Sequence, residues 1–163
     1  MTQISNLAFE LGQQLKQQGL SISAAESCTG GLFLSTLTDV AGSSAYVQGG
    51  VVVYSNAAKQ QLVNVQESTL IAQGAVSKAT AQEMAQGVRR LLQSDIGISI
   101  TGIAGPGGGS AEKPVGLVYI GIATADDVQA QKFLWDGDRL QNKKDSVLAA
   151  IKMIRAKINH EPA

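Results

Sequence analysis

Apolar residues recur at a helical interval from the start of the chain. Ile4, Leu7, Ala8, Leu11 and Leu15 fall at i, i+3, i+4, i+7 and i+11, on one face of an amphipathic helix that Gly19 would stop. Residues 20–25 alternate and predict a short strand, followed by a helix over 32–38 and a loop at 41–44. Residues 49–54 carry three consecutive valines and predict a buried strand ending at Tyr54. Ser55-Asn56 then caps a helical stretch that carries Lys59. Ser77 is placed to cap a helix with Ala81, Met84, Ala85, Val88, Leu91 and Leu92 on its inner face. Two apolar strands, 96–103 and 115–124, flank a glycine-rich loop, and 129–135 is a weaker edge strand. Asp138-Arg139-Leu140-Gln141 resembles a capping box opening the last helix, whose inner stripe is Val147, Ile151, Ile154 and Ile158. Strands interleaved with helices predict one layered α/β domain over 1–163, with helices on both faces of the sheet. A hairpin across the glycine loop would make that sheet mixed.

Composition removes much of the chemistry this frame could carry. The 163 residues are 44% hydrophobic and 16% charged, which suits one globular domain. Thirteen basic residues balance thirteen acidic ones, so no electrostatic footprint for nucleic acid or an anionic membrane is expected. A single Cys and a single His exclude a Cys/His zinc site within one chain and an intrachain disulfide. His160 is fourth from the C-terminal end, past the last helix, so a hydrolase here needs a base other than histidine. No run approaches the roughly 18 apolar residues of a spanning helix, and residues 1–14 lack a signal-peptide pattern. A soluble, cytoplasmic domain without metal or cofactor is expected.

Three motifs and one arginine remain. Ser27 stands where a strand meets Gly30, Gly31 and a helix. Unpaired N–H groups there could hold an oxyanion or a phosphate, or Ser27 and Thr29 could merely cap the helix. Lys59 follows Tyr54 into the first turns of a helix whose dipole opposes a cation. With histidine removed it is the candidate base for a serine, unless it is an ordinary surface lysine. Residues 101–110 hold five glycines (102, 105, 107, 108 and 109) after a strand, which suits a phosphate cradle or a flexible hairpin loop. Neither a Walker A loop nor a dinucleotide fingerprint is present. Arg139, unfavourable in the first turn of the last helix, could await an anionic ligand or pair with Asp136 or Asp138.

Taken together these strings resemble the CinA C-terminal domain family, typified by bacterial nicotinamide mononucleotide deamidase. The resemblance rests on Ala25-Glu26-Ser27-Cys28-Thr29-Gly30-Gly31, Gly50-Val51-Val52-Val53-Tyr54-Ser55-Asn56 with Lys59, Gly74-Ala75-Val76-Ser77, Thr101-Gly102-Ile103-Ala104-Gly105-Pro106, Lys113-Pro114-Val115-Gly116 and Gly137-Asp138-Arg139. They occur in family order. Asn64 departs from a usual Gly, and Ser94 from a usual Ala. The resemblance implies a three-layer α/β/α sandwich with a mixed, mostly parallel sheet that often forms homo-oligomers. It implies hydrolysis of nicotinamide mononucleotide to nicotinic acid mononucleotide and ammonia, a pyridine nucleotide recycling step, without metal or cofactor. Ser27 would be the nucleophile and Lys59 its base, with Tyr54, Thr101 and Arg139 completing the site. Glu26, Cys28, Thr29, Gly30, Gly31, Gly102 and Gly105 would line the substrate. Family members can also stand behind a larger nucleotide-hydrolysing domain, for which this chain has no room. The competing expectation is a catalytically inactive nucleotide-binding domain, or a regulatory one tied to competence or DNA damage.

Overall fold

The computed structural model describes residues 2–160, so residue 1 and residues 161–163 of the expected domain lie outside the described residues. Its elements run α1 (Gln3–Gln18), β1 (Ile22–Glu26), α2 (Leu32–Thr38), a 3-10 turn (Ser43–Ala45), β2 (Val47–Val52), α3 (Asn56–Val63), α4 (Glu67–Gln73), α5 (Lys78–Leu92), β3 (Ile96–Gly102), β4 (Leu117–Ala123), β5 (Val128–Leu134) and α6 (Arg139–Ile158). The five strands lie in the order β2-β1-β3-β4-β5. β1 pairs in parallel with β2 and β3, while β4 is antiparallel to both its neighbours. β4 alone is therefore reversed, and the sheet is mixed with its other strands running one way.

Helices cover both faces. α1, α2 and α6 enclose the larger core with Ile22, Ala24, Ile98, Ile100 and Ile120 beneath them. α5 covers the other face, and α3 packs on it around Val63, Val65, Met84 and Val88. α5 can lie close because the strands below it carry small residues. A Cβ on Gly97 would stand 2.2 Å from the Ala85 carbonyl, and one on Gly121 2.3 Å from that of Ala81. The Ser99 hydroxyl donates to the Ala81 carbonyl in the same layer.

Several expectations need correction. β2 is an edge strand of alternating half-buried and exposed residues rather than a buried one. Tyr54 lies two residues beyond it and is 61% exposed. Leu91 points outward, at 49% exposure, while Ala81, Met84, Ala85 and Val88 are buried as the spacing predicts. Only half of the capping box forms: Asp138 accepts from the Gln141 N–H, but the Gln141 side chain donates onward to Asp145. α4 was not anticipated. It is held from outside itself by Glu83 of α5, which accepts from the Gln66 N–H and the Thr69 hydroxyl.

The two departures from the family strings have physical fits. Asn64 caps α3 at φ 56°, a left-handed conformation that Asn tolerates best after Gly. Ser94 is buried, with its hydroxyl 2.6 Å from that of Ser23 and donating to the Ile96 carbonyl. Beside the start of α6, Trp135 stacks on Phe133 with ring centroids 5.1 Å apart and donates through its indole to Ser146. The Trp135 carbonyl lies so close to Gly116 that a Cβ there would be 1.9 Å away.

Candidate active site

The parallel half of the sheet ends in a pair of extended ladders that place Ser27. Its N–H donates to the Ile100 carbonyl at 2.9 Å, and the Val53 N–H donates to the Glu26 carbonyl at 2.8 Å. The serine thus sits at the carboxyl ends of β2, β1 and β3, where open α/β sheets form their ligand crevices.

Glu26 builds the turn that follows. Its fully buried carboxylate accepts from the Thr29 hydroxyl and the N–H groups of Gly31, Phe33 and Leu34, at 2.6–3.1 Å. Gly30 and Gly31, at φ 61° and 99°, allow the reversal. The Gly30 N–H is taken by the Ser27 carbonyl. Cys28 is buried, and burial pushes its thiol up to about 11. It is therefore protonated near neutrality and is no rival nucleophile.

Lys59 is no surface lysine; it is 1% exposed. α3 carries it inward, and α3 in turn lies against α5 at Gly87, where a Cβ would stand 1.8 Å from the Val63 carbonyl. Lys59 Nζ is 3.1 Å from Ser27 Oγ, 2.9 Å from the Val53 carbonyl and 3.2 Å from the Tyr54 carbonyl. Burial lowers the ammonium below the ordinary lysine value, against a smaller opposing effect of Cys28.

Two loops and α6 close the site. The buried Thr101 hydroxyl donates to the Ala75 carbonyl at 2.8 Å, tying residues 74–77 to the end of β3. Arg139 donates through Nη1 to the Gly105 carbonyl at 2.7 Å and through Nη2 to the Tyr54 hydroxyl at 3.2 Å. It pairs with neither Asp136 nor Asp138. Asn142, one turn on, donates to the Ala104 carbonyl. Ser27, Cys28, Tyr54, Lys59, Thr101 and Arg139, with Gly102 and Gly105, face one cavity of about 250 Å³. Glu26, Thr29, Gly30 and Gly31 shape it from behind. An adjoining apolar lobe of about 450 Å³, walled by Pro106, Val115 and Leu140, shares Ala104 and Arg139 with it. Together they reach the roughly 300–1,000 Å³ of small-molecule sites.

A larger cavity of about 780 Å³ lies at the opposite end of the sheet, among Asp95, Asp127, Lys157 and His160. Its lysine is already paired with Asp127, and neither Ser27 nor Lys59 reaches it. Chemistry, not volume, places the site. Among the described residues no three His, Cys, Asp or Glu side chains converge as metal ligands, and no helix is long and apolar enough to cross a membrane. Sequence reasoning missed Ala75 and Val76 as lining, although they fall within a matched string, and it missed Asn142. The one available signal for Asn142 was position: three residues after Arg139, it shares that residue's helical face.

Fold and site define a class, an α/β domain with a buried serine–lysine pair at the carboxyl ends of parallel strands. The sequence pattern of the CinA C-terminal domain matches residues 4–158, and the chain belongs to that family. It is 51% identical over 157 residues to a CinA-like protein of Chloroherpeton thalassium, covering 94% of this chain and 37% of the relative. The crystal structure of the competence/damage inducible protein CihA from Agrobacterium tumefaciens superposes with a TM-score of 0.93 at 41% identity, covering 98% of this chain and 97% of that one. A CinA superfamily protein from Klebsiella pneumoniae superposes with a TM-score of 0.94 at 32% identity, covering 98% and 99%. The chain spans 34% to 37% of the length of the curated relatives it matches.

Proposed function

We propose that this chain is an amidohydrolase that deamidates nicotinamide mononucleotide to nicotinic acid mononucleotide and ammonia through a Ser27–Lys59 pair. The observation that carries the reading is the buried Lys59 amine on the Ser27 hydroxyl. As a neutral amine, Lys59 has two N–H groups and one lone pair. The Val53 and Tyr54 carbonyls accept the two N–H groups, which leaves the lone pair for the Ser27 proton.

Ser27 Oγ then attacks the carboxamide carbon while its proton passes to Lys59. The backbone N–H of Cys28, next to the nucleophile on the cavity wall, would donate to the resulting oxyanion. Lys59 delivers the proton to the amide nitrogen, the C–N bond breaks, and ammonia leaves an ester on Ser27. Water, deprotonated by the same amine, attacks that ester. The Lys59 ammonium returns the proton to Ser27 Oγ as the ester C–O bond breaks, and the acid leaves as a carboxylate with its proton passing to ammonia. Glu26 acts as a positioning residue, because its carboxylate holds the turn rather than the substrate. Arg139, which donates only to neutral oxygens, is free to answer an anion. A homo-oligomer acting on a small molecule, with no part for nucleic acid, belongs to the same reading.

The test is ammonia release from nicotinamide mononucleotide by the purified chain. Release that disappears in Ser27→Ala supports the proposal. Binding of the mononucleotide without turnover would instead favour a nucleotide-binding domain that kept the fold and lost the chemistry.

A further inference from the structure

Two cations leave α6 one helical turn apart, and neither has an acid to answer it. Arg139 donates to two neutral oxygens, and Lys143 has no ion pair or hydrogen bond among the described residues. Half-buried Lys143 Nζ stands 3.9 Å from the point a Gly30 Cβ would occupy, and its charge acts on the Cys28 thiol. It therefore leans over the turn that carries the nucleophile. Glu26, the carboxylate inside that turn, already accepts from four donors. Like charges four residues apart on a helix repel, and both sit near an N-terminus whose dipole disfavours cations. Among the described residues no ion pair offsets that arrangement, whereas a phosphate dianion would.

We propose that Lys143 is a specificity-determining residue that, with Arg139, binds the phosphomonoester of the substrate. Arg139 approaches it from the Gly105 side and Lys143 from the Gly30 side. This deepens the amidase reading and rests on it for the identity of the nucleotide. The chemistry, a phosphomonoester bridged by an ammonium and a guanidinium, stands on the geometry of α6.

The experiment measures binding of nicotinic acid mononucleotide, nicotinic acid riboside and inorganic phosphate by calorimetry to the wild-type chain, Lys143→Gln and Lys143→Arg, alongside ammonia release. In Lys143→Gln, mononucleotide affinity should fall about 10- to 100-fold, phosphate binding should weaken in parallel, and riboside affinity should stay put. Lys143→Arg should recover most of the loss. A riboside affinity that falls as far as that of the mononucleotide, no change in either, or no phosphomonoester binding by the wild-type chain would overturn the inference. An active wild-type enzyme indifferent to Lys143 defeats this proposal alone. Lysine-dependent phosphomonoester binding without ammonia release defeats the amidase reading alone.

Discussion

The distance between Ser27 and Lys59 matters less than the protonation state that burial imposes on the amine. In the unfolded chain Lys59 titrates near the usual lysine value of about 10.4, and folding lowers that value. Between the two values the folded chain holds fewer protons than the unfolded one, so stability rises with pH across that window. Activity should rise in the same direction, because only the neutral amine can take the Ser27 proton. We expect kcat/KM for ammonia release to climb with pH on a single acid limb and level off once Lys59 is neutral. Lys59→Arg keeps a cation that cannot deprotonate in this range, so it should remove the limb and nearly all turnover. Ser27→Ala should lower turnover by at least about 10³-fold with little change in melting temperature, measured by steady-state ammonia release and thermal unfolding. A pH-independent or fully active Lys59→Arg enzyme would assign the base elsewhere.

At the scale of elements, the site depends on parts that never touch a substrate. Glu26 spends its whole carboxylate on the first turn of α2 and on Thr29. Glu26→Ala should destabilise the fold by about 2–4 kcal/mol in denaturant titrations, since buried donors lose a charged acceptor. Glu26→Gln should recover part of that. The seat of α3 on α5 is as sensitive. A methyl group at Gly87 has no room before the Val63 carbonyl, so Gly87→Ala should cost about 1–3 kcal/mol. It should also push α3 outward and cut turnover further than its stability loss accounts for.

These elements also show what the sequence could and could not disclose. The single counts of His and Cys left Ser27 and Lys59 as candidates, but only the six motif strings in family order set them apart from a helix cap and a surface lysine. Ser55, Ser77 and Asp138, by contrast, announced their helices as caps. β2 misled because its valines look the same on a buried strand and on an edge. α4 was silent because Glu83, ten residues beyond its end, holds it. Lys143 was invisible because a lysine beside Lys144 on a charged helix has no pattern until α2 is folded against it.

For the whole molecule, the site is gathered from both ends of the chain. Ser27 and Lys59 come from the parallel half, while Arg139 and Asn142 arrive after the β3–β4–β5 meander and pin the glycine-rich loop from outside. Chelators should leave ammonia release unchanged, because the proposed chemistry runs on the serine and the amine alone. Activity lost to EDTA and restored by a divalent cation would refute that. The single tryptophan sits at the junction of β5 and α6, four residues before Arg139, stacked on Phe133 and hydrogen-bonded to Ser146 of α6. The protein thereby carries its own optical gauge. With no second indole to blur the signal, emission from Trp135 should follow the seating of α6 during titration with a mononucleotide, with no dye or label added to the chain.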